Sequence, residues 1–224
     1  MRIHLTGSRT FGASVLSAVT AAGHTVTGVT APASGDALAA RATTAGLYSG
    51  PVIDPGTVAG AQVVVAAHSH AFVGRRTRAA VDVAIGYHPS LLPLHRGRDA
   101  VRWTIRDRDK VAGGSVYHLT DTVDGGPIAA QDYVLVHPRD DARSLWRDKL
   151  APLGVRLILE VLADLDAGHV AARPQEESLA TWEPALDAEP LHRPELVEIA
   201  AGSGAGPGAL RWHAQPSRAT ARSA

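Results

Sequence analysis

Short apolar runs, separated by turn residues, dominate the hydrophobic pattern of the first two thirds of the chain. The run at 61–67 (AQVVVAA) is apolar at all but one position, as in a strand that is covered on both faces of a sheet. Other runs bounded by glycine, proline or polar residues predict further strands. The predicted strands cover residues 2–6, 26–29, 51–53, 61–67, 81–85, 115–119 and 128–136.

Segments with apolar residues three and four positions apart lie between these runs and predict helices. They cover residues 13–22, 37–45, 72–80, 99–107 and 139–167. The last and longest segment has an apolar stripe formed by Leu145, Leu150, Leu153, Leu157 and Val161. Pro152 interrupts it, and because proline lacks the N–H that a helix interior needs, we expect the helix to kink or divide there.

The order strand, turn, helix, strand at the start of the chain is typical of a parallel α/β sheet. We therefore predict an α/β, Rossmann-like fold over residues 1–185, in which a mostly parallel twisted sheet carries helices on both faces. The periodicity fades over 186–201, which we interpret as a C-terminal extension. Residues 202–224 are rich in Gly, Ala, Ser and Arg and predict a disordered tail.

Composition narrows the classes of function. The 224 residues suit one domain with a tail, and 22 basic against 22 acidic residues give no sign of nucleic-acid binding. The absence of cysteine excludes disulfides, thiolate catalysis and Cys-ligated zinc. No apolar run has the length of a membrane span, and the first residues resemble a strand rather than a leader peptide. We expect a cytoplasmic protein without membrane contact.

The candidate chemistry concentrates in residues 83–97, VAIGYHPSLLPLHRG. An apolar strand leads to His88, and two prolines stiffen the backbone that follows it. We therefore expect His88 to be extended at a strand end and to face a substrate rather than the core. Histidine changes its protonation near neutral pH, which makes His88 a candidate proton shuttle.

A second candidate, Asp124, lies in the segment VDGGPI between the last two predicted strands. Taken alone, an Asp-Gly pair is an ordinary turn signal. A carboxylate beside an imidazole, however, orients the ring and favours its protonated form. His88 and Asp124 together therefore predict a proton-transfer pair.

The segments HPSLLPLHRG and DGGPI, in this order, resemble the signature loops of the folate-dependent formyltransferases, and residues 181–184 (TWEP) resemble the closing motif of that family. The family includes glycinamide ribonucleotide, methionyl-tRNA and amino-sugar formyltransferases. The resemblance covers most of the chain and implies the formyltransferase fold and 10-formyltetrahydrofolate as co-substrate. It also implies that His88 and Asp124 catalyse transfer of the formyl group to an amine.

The resemblance implies binding residues as well. The loops that would hold the folate contain His68, Ser69, His70, Leu92, Val123 and Gly125. The loops that would contact the acceptor contain Ser8, Thr10, Phe11, Arg96 and Gly97.

The acceptor class follows from the same comparison. The first turn is similar to the G-[ST]-x-x-F opening of the methionyl-tRNA and sugar branches. It lacks the phosphate loop of the glycinamide ribonucleotide enzymes. A tRNA-binding domain is also not recognisable in the sequence. We expect a small-molecule amine acceptor, as in specialised metabolite biosynthesis, and no nucleic-acid partner. The sequence leaves homodimer formation open.

The chain departs from the family pattern at Gly86, where the family has an Asn that helps to bind the formyl oxygen. Loss of such a donor typically costs about 2.7–4 kcal/mol in the transition state. Another donor could replace it, namely Ser69, His70, His118 or a water. Alternatively, the site performs another reaction, such as formyl-folate hydrolysis or metal-assisted chemistry, or the chain only binds. His68 and His70 form an H-x-H pair, but this is a weak signal and we expect no metal ligands.

Overall fold

Seven strands form one sheet in the part of the chain that the structure describes. The structure is a computed structural model, and it describes residues 1–33, 35–69 and 71–186. The strands are β1 (Arg2–Gly7), β2 (Thr25–Thr30), β3 (Tyr48–Gly50), β4 (Val63–Ala67), β5 (Val83–His88), β6 (Val111–His118) and β7 (Ile128–Leu135). Their spatial order is β3-β2-β1-β4-β5-β6-β7.

The sheet has a parallel and an antiparallel half. Strands β1 to β5 pair in parallel, whereas β6 and β7 add to the edge of β5 in antiparallel orientation. The prediction of a mostly parallel α/β sheet is confirmed. The carboxyl ends of the parallel strands lie along one edge of such a sheet, which is where ligands of open α/β sheets bind.

The helices are α1 (Arg9–Ala21), α2 (Ala37–Thr44), α3 (Arg75–Arg78), α4 (Ala100–Arg106), α5 (Ala142–Ser144) and α6 (Ala151–Asp166). A π-helical segment, Leu145–Leu150, separates α5 from α6, and a 3₁₀ turn covers Glu177–Leu179. Pro152 lies in the first turn of α6, directly after the π-helical segment. The change from π- to α-helix beside Pro152 agrees with the predicted kink or division.

The main hydrophobic core lies on one face of the sheet, beneath α1, α2 and α6. It contains alternate strand residues such as Ile3, Leu5, Val63 and Val65. Successive strand residues point to opposite faces, so Val64 and Ala84 belong to a second, smaller cluster. Ile53, Val58 and Val73 complete that cluster, which is covered by turns and lies beside α3.

Several predicted boundaries are wrong, and β6, for example, begins at Val111 rather than at residue 115. The third strand ends at Gly50, where φ is 103°, so the chain has left the sheet before the predicted strand at 51–53. Helix α1 begins at Arg9 rather than at residue 13, and Gly12 belongs to it. A Cβ at Gly12 would lie 2.8 Å from Leu38 Cδ2, so this glycine permits close packing of α1 on α2 rather than a turn. Helix α3 covers only Arg75–Arg78 of the predicted 72–80.

Within the described ranges, no helix is both long enough and apolar enough to cross a membrane. The predicted extension over 186–201 and the predicted tail over 202–224 lie outside the described residues, apart from residue 186 itself.

His4 is a polar residue at the centre of the sheet. It is fully buried on β1, its Nε2 lies 2.8 Å from Thr30 Oγ1, and the neighbouring strand leaves room for the ring at Gly28. Burial lowers the pKa of His4 to about 4, because the charged imidazolium would lose its hydration. His4 is therefore neutral in the folded protein at neutral pH.

We expect His4 to make folding sensitive to acid. Between pH 6.5 and pH 4 the unfolded chain binds a proton at His4 and the folded chain does not. The free energy of unfolding therefore falls as the pH falls toward 4. The loss from His4 alone should be roughly 3 kcal/mol between pH 7 and pH 4. Denaturant unfolding of His4→Gln should show a pH dependence weaker by that amount, whereas the exposed control His169→Gln should behave as the wild type. Equal pH dependence in His4→Gln and wild type would contradict this.

Candidate functional site

The loop that follows β5 is anchored to the antiparallel half of the sheet. Ser115 of β6 is fully buried, donates its hydroxyl to the carbonyl of Ser90 (2.7 Å) and accepts the N–H of Leu92 (3.1 Å). Gln131 of β7 donates to Ser115 Oγ and to the Leu92 carbonyl. These contacts fix the loop relative to the strands beside it.

His88 is the last residue of β5 and is 7% exposed. Its Nε2 lies 2.7 Å from the carbonyl oxygen of His95, and because a carbonyl only accepts, Nε2 carries the hydrogen. Its Nδ1 lies 3.6 Å from Oδ2 of Asp124. The predicted extended strand end is confirmed, but the expectation that His88 is not buried is wrong, because the loop folds back over the ring.

Asp124 lies between β6 and β7 with φ of 51°, a left-handed conformation that Asp tolerates better than most residues. Its Oδ2 accepts the N–H of Gly97 at 2.9 Å, and its Oδ1 accepts the hydroxyl of Tyr117 at 2.7 Å. Both carboxylate oxygens are thus held in place, and Oδ2 faces the His88 ring. The structure brings the two predicted catalytic residues together.

Tyr117 is a buried member of this group that the sequence analysis did not identify. Burial raises the pKa of Tyr117, and the charge of Asp124 and the hydrogen bond to it raise it further. The hydroxyl therefore stays protonated and donates a hydrogen bond to Asp124. The pairing of Tyr117 with Gly86 across β5 and β6 explains its position, but that register cannot be derived from one sequence.

Gly86 leaves no vacancy in the structure. A Cβ at this position would lie 2.9 Å from Leu119 Cδ2 and 3.4 Å from Tyr117 Cε1. Leu119 and Tyr117 therefore fill the space into which a side chain at position 86 would extend. Two of the suggested replacement donors have other partners in the structure. His118 lies opposite Ile85 rather than Gly86 in the strand pairing, and its Nε2 contacts the Ala171 carbonyl. Ser69 Oγ interacts with Thr6 Oγ1 and the backbone of Ala71.

Arg96 is buried and links the loop at 89–97, here called the signature loop, to the chain after α6. Its guanidinium donates to Gln175 and forms an ion pair with Glu177 at 2.6 Å. The hydrogen bond from Arg96 and the positive charge of its guanidinium lower the pKa of the Glu177 carboxyl. Gln175 in turn donates to the backbone carbonyls of Asp124 and Gly126 at 2.7 Å. Arg96 thus supports the Asp124 loop, and its predicted contact with an acceptor stays a prediction.

Gly97 also contacts the predicted His88–Asp124 pair. Its φ is 106°, and a Cβ would lie 2.7 Å from the carbonyl oxygen of Glu183, so a larger residue would be strained there. Its N–H donates to Asp124. The Arg96 N–H donates to the Thr181 carbonyl, and the Glu183 N–H donates to the Arg96 carbonyl. Residues 181–183 are therefore attached along the end of the signature loop.

Of the three predicted acceptor residues in the first βα turn, Thr10 is exposed and the other two are buried. Ser8 donates its hydroxyl to the His68 carbonyl at 2.7 Å. Phe11 packs in the core, with its ring 5.4 Å from Tyr87 and 5.2 Å from Trp146.

The N-terminus of α1 is occupied by a carboxylate of the chain itself. Asp36 caps α2 by accepting the N–H groups of Leu38 and Ala39, and its second oxygen accepts the N–H of Arg9 at 2.7 Å. A free helix N-terminus is a common site for phosphate. Here the N–H of Arg9 already has an anionic partner.

The predicted folate residues lie in three places. His68 has φ of 57° and its ring centre is 6.2 Å from that of Trp146, while His70 lies outside the described residues. Leu92 is 3% exposed, and both of its backbone polar groups are bonded to side chains. Val123 is 49% exposed, and Gly125 follows Asp124 in the same loop. Their role in folate binding stays a prediction.

His95 lies at the turn of the signature loop with φ of 53°. Burial lowers the pKa of His95, but hydrogen bonds to Asp109 and Glu183 and the charges of these carboxylates outweigh it, so the net shift is upward. The backbone carbonyl of His95 holds the His88 ring. No role for His95 could be recognised from the sequence, because a histidine inside a loop motif has no recognisable partner until the fold places Asp109 and Glu183 beside it.

Comparison with known proteins places this geometry in a family. A family model described as formyl transferase matches residues 20–162. The chain belongs to the formyl transferase family. The resemblance drawn from the two signature loops is thereby confirmed.

Two curated relatives of this formyl transferase illustrate the range of similarity. Methionyl-tRNA formyltransferase of Chloroflexus aggregans is 34% identical over 204 residues, which cover 81% of this chain and 64% of that protein. Mitochondrial 10-formyltetrahydrofolate dehydrogenase of Mus musculus is 42% identical over 100 residues, which cover 45% of this chain and 11% of that protein. The chain therefore spans less than two thirds of either relative.

Solved formyl transferase structures share the fold. A sugar 3N-formyl transferase crystallised with dTDP and 5-N-formyl-THF superposes with a TM-score of 0.72 at 13% identity, covering 86% of this chain and 73% of that one. At this identity the likeness concerns the fold alone. The predicted formyltransferase fold is confirmed.

We expect Tyr117→Phe to destabilise the protein by about 1.5–3 kcal/mol, because a buried carboxylate loses one of its hydrogen-bond donors. Denaturant unfolding measures this, with Tyr133→Phe as the control, since Tyr133 is 61% exposed. In a double-mutant cycle with Asp124→Asn, the two changes should be non-additive because the residues are in contact. Additive effects would show that the hydrogen bond contributes nothing.

Proposed function

We propose that this formyl transferase transfers a formyl group from 10-formyltetrahydrofolate to the amine of a small-molecule acceptor, with His88 and Asp124 as the catalytic pair. The approach of His88 Nδ1 to within 3.6 Å of Asp124 Oδ2, in a chain of this family, carries the proposal. The names of the curated relatives and the formyl-THF bound to the sugar 3N-formyl transferase support the donor.

The proposed reaction is acyl transfer. The acceptor amine attacks the formyl carbon, a tetrahedral oxyanion forms, and the bond from that carbon to N10 of the folate breaks. The amine loses one proton and N10 gains one. A positioned histidine can donate to the oxyanion or carry this proton, and a carboxylate beside it stabilises the protonated ring.

In this proposal, substrate binding changes the contacts of His88. The Nε2–H of His88 is donated to the His95 carbonyl, and Nδ1 faces Asp124. A formyl oxygen that accepts from His88 would take the place of one of these contacts. Asp124 would remain oriented throughout, because Gly97 and Tyr117 hold its two oxygens.

The acceptor class rests on the first βα turn. Asp36 already binds the N–H of Arg9 at the start of α1, so this turn supports an acceptor without a phosphate at that point. Thr10 is exposed beside it and can contact the acceptor. A small molecule with a free amine, such as an amino acid or an amino sugar, fits these features.

A second candidate function is hydrolysis of the formyl-folate, in which water replaces the amine and formate leaves. The observation that favours it is the filled space at Gly86, where Leu119 lies in place of an amide side chain. Without that donor, the site offers less stabilisation to the oxyanion of a transfer reaction. The same His88–Asp124 pair would serve hydrolysis.

Incubation of the full chain with 10-formyltetrahydrofolate and a panel of amines, followed by mass spectrometry of the products, tests both functions. A formylated amine supports transfer, and formate alone supports hydrolysis. If neither product forms and the chain binds no folate, both functions are contradicted. His88→Ala should lower the turnover number by roughly 10²–10⁴-fold, because it removes the proton carrier, with folate affinity nearly unchanged. The exposed control His137→Ala should turn over as the wild type, and near wild-type turnover by His88→Ala would remove it from the mechanism.

Gly86→Asn tests the missing donor. The new Cβ requires a shift of the flexible end of Leu119, and the amide beyond it requires Leu119 to turn out of the space that it fills with Tyr117. Thermal melting checks that the variant folds, and the folded variant should raise formyl transfer to an amine by up to about 10²–10³-fold. Gly86→Ala introduces the same Cβ without an amide and should give no gain. If Gly86→Asn binds folate but transfers no faster than the wild type, the site does not depend on a donor at position 86.

A further inference from the structure

One imidazole and two carboxylates from distant parts of the chain meet behind the signature loop. His95 belongs to the loop, Asp107 follows α4, and Glu183 belongs to the segment after the 3₁₀ turn. One ligand atom from each residue lies within 4.8 Å of the others. His95 is 6% exposed and Glu183 is 3% exposed. The three residues form what we call the His95 cluster.

The His95 ring is oriented as a metal ligand would be. Its Nε2 lies 2.8 Å from Oδ2 of Asp109, outside the cluster, which leaves Nδ1 directed into it. Nδ1 is buried and lies 3.4 Å from Glu183 Oε1, at the long end of the hydrogen-bond range. Metal-binding histidines almost always donate their second ring N–H to a carboxylate or a carbonyl, as His95 does to Asp109.

We propose that the His95 cluster binds one divalent first-row cation, represented by Zn²⁺, through His95 Nδ1 and the carboxylates of Asp107 and Glu183. Ligands 2.0–2.2 Å from a tetrahedral Zn²⁺ lie about 3.3–3.6 Å apart. The three ligand atoms lie within 4.8 Å of one another, so side-chain movements of up to roughly 1–1.5 Å would bring them to this spacing. A mixed set of one nitrogen and two oxygens suits Zn²⁺, whereas Mg²⁺ and Ca²⁺ prefer oxygen ligands. This set could not be recognised from the sequence, because Glu183 is far from His95 and Asp107 in the chain.

The position of the cluster defines its role. The His95 carbonyl accepts from His88, and the His95 N–H donates to Thr181 Oγ1 at 2.6 Å. A cation shared by His95 and Glu183 would attach the segment at 181–183 to the signature loop and fix the backbone that holds the His88 ring. It would thus position His88 without contacting a substrate.

Titration of the chelator-treated full chain with Zn²⁺, followed by calorimetry, tests the site without any folate. We expect one site per chain that is weakened at least tenfold in Glu183→Gln and in Asp107→Asn. Asp109→Asn should weaken it by about 10–100-fold, because Asp109 only orients the ligand. The surface variant Glu160→Gln is the matched control, since its carboxylate pairs with Arg156 far along α6, and it should bind as the wild type.

A second measurement on the wild type covers variants that fail to fold. Zn²⁺ should raise the melting temperature and shift the ring-nitrogen resonances of one histidine, whereas Mg²⁺ at the same concentration should do neither. A wild-type chain that binds no Zn²⁺, or Zn²⁺ binding that Glu183→Gln and Asp107→Asn leave unchanged, would overturn the proposal. Neither result depends on whether the chain transfers formyl groups.

Discussion

The carboxylate of Asp124 is the constraint on which the site depends. A buried carboxylate must be hydrogen-bonded or paired, and each of its partners comes from a different segment. Tyr117 reaches it from β6, Gly97 from the signature loop and His88 from the end of β5. Because one group satisfies all three contacts, the antiparallel strand, the loop and the parallel strand have a fixed relative placement.

The segment after α6 completes this arrangement from outside. Gln175 binds the backbone on both sides of Gly125, Arg96 binds Gln175, and residues 181–183 pair with the signature loop. The loop is therefore held between β6 on one side and the last described residues on the other. This explains how a nine-residue loop with two prolines and a buried arginine keeps one conformation around His88.

The sequence alone predicted the parallel sheet, the signature loops and the pairing of His88 with Asp124, because these depend on local patterns and on a motif. It did not predict the burial of His88 or the role of Tyr117, since both follow from how the loop and β6 lie against β5. Gly12 illustrates the same limit. A glycine after a strand is typical of a turn, but here it lies inside α1 because only tertiary packing reveals Leu38 beside it.

Asp36 has a consequence for the charge balance at the carboxyl edge of the sheet. Its two oxygens accept N–H groups from the starts of α1 and α2, so one side chain serves the positive ends of two helix dipoles. The negative charge of Asp36 is thus balanced within the fold. The two helices are joined at their N-termini by one ionic group as well as by the packing of Gly12 on Leu38.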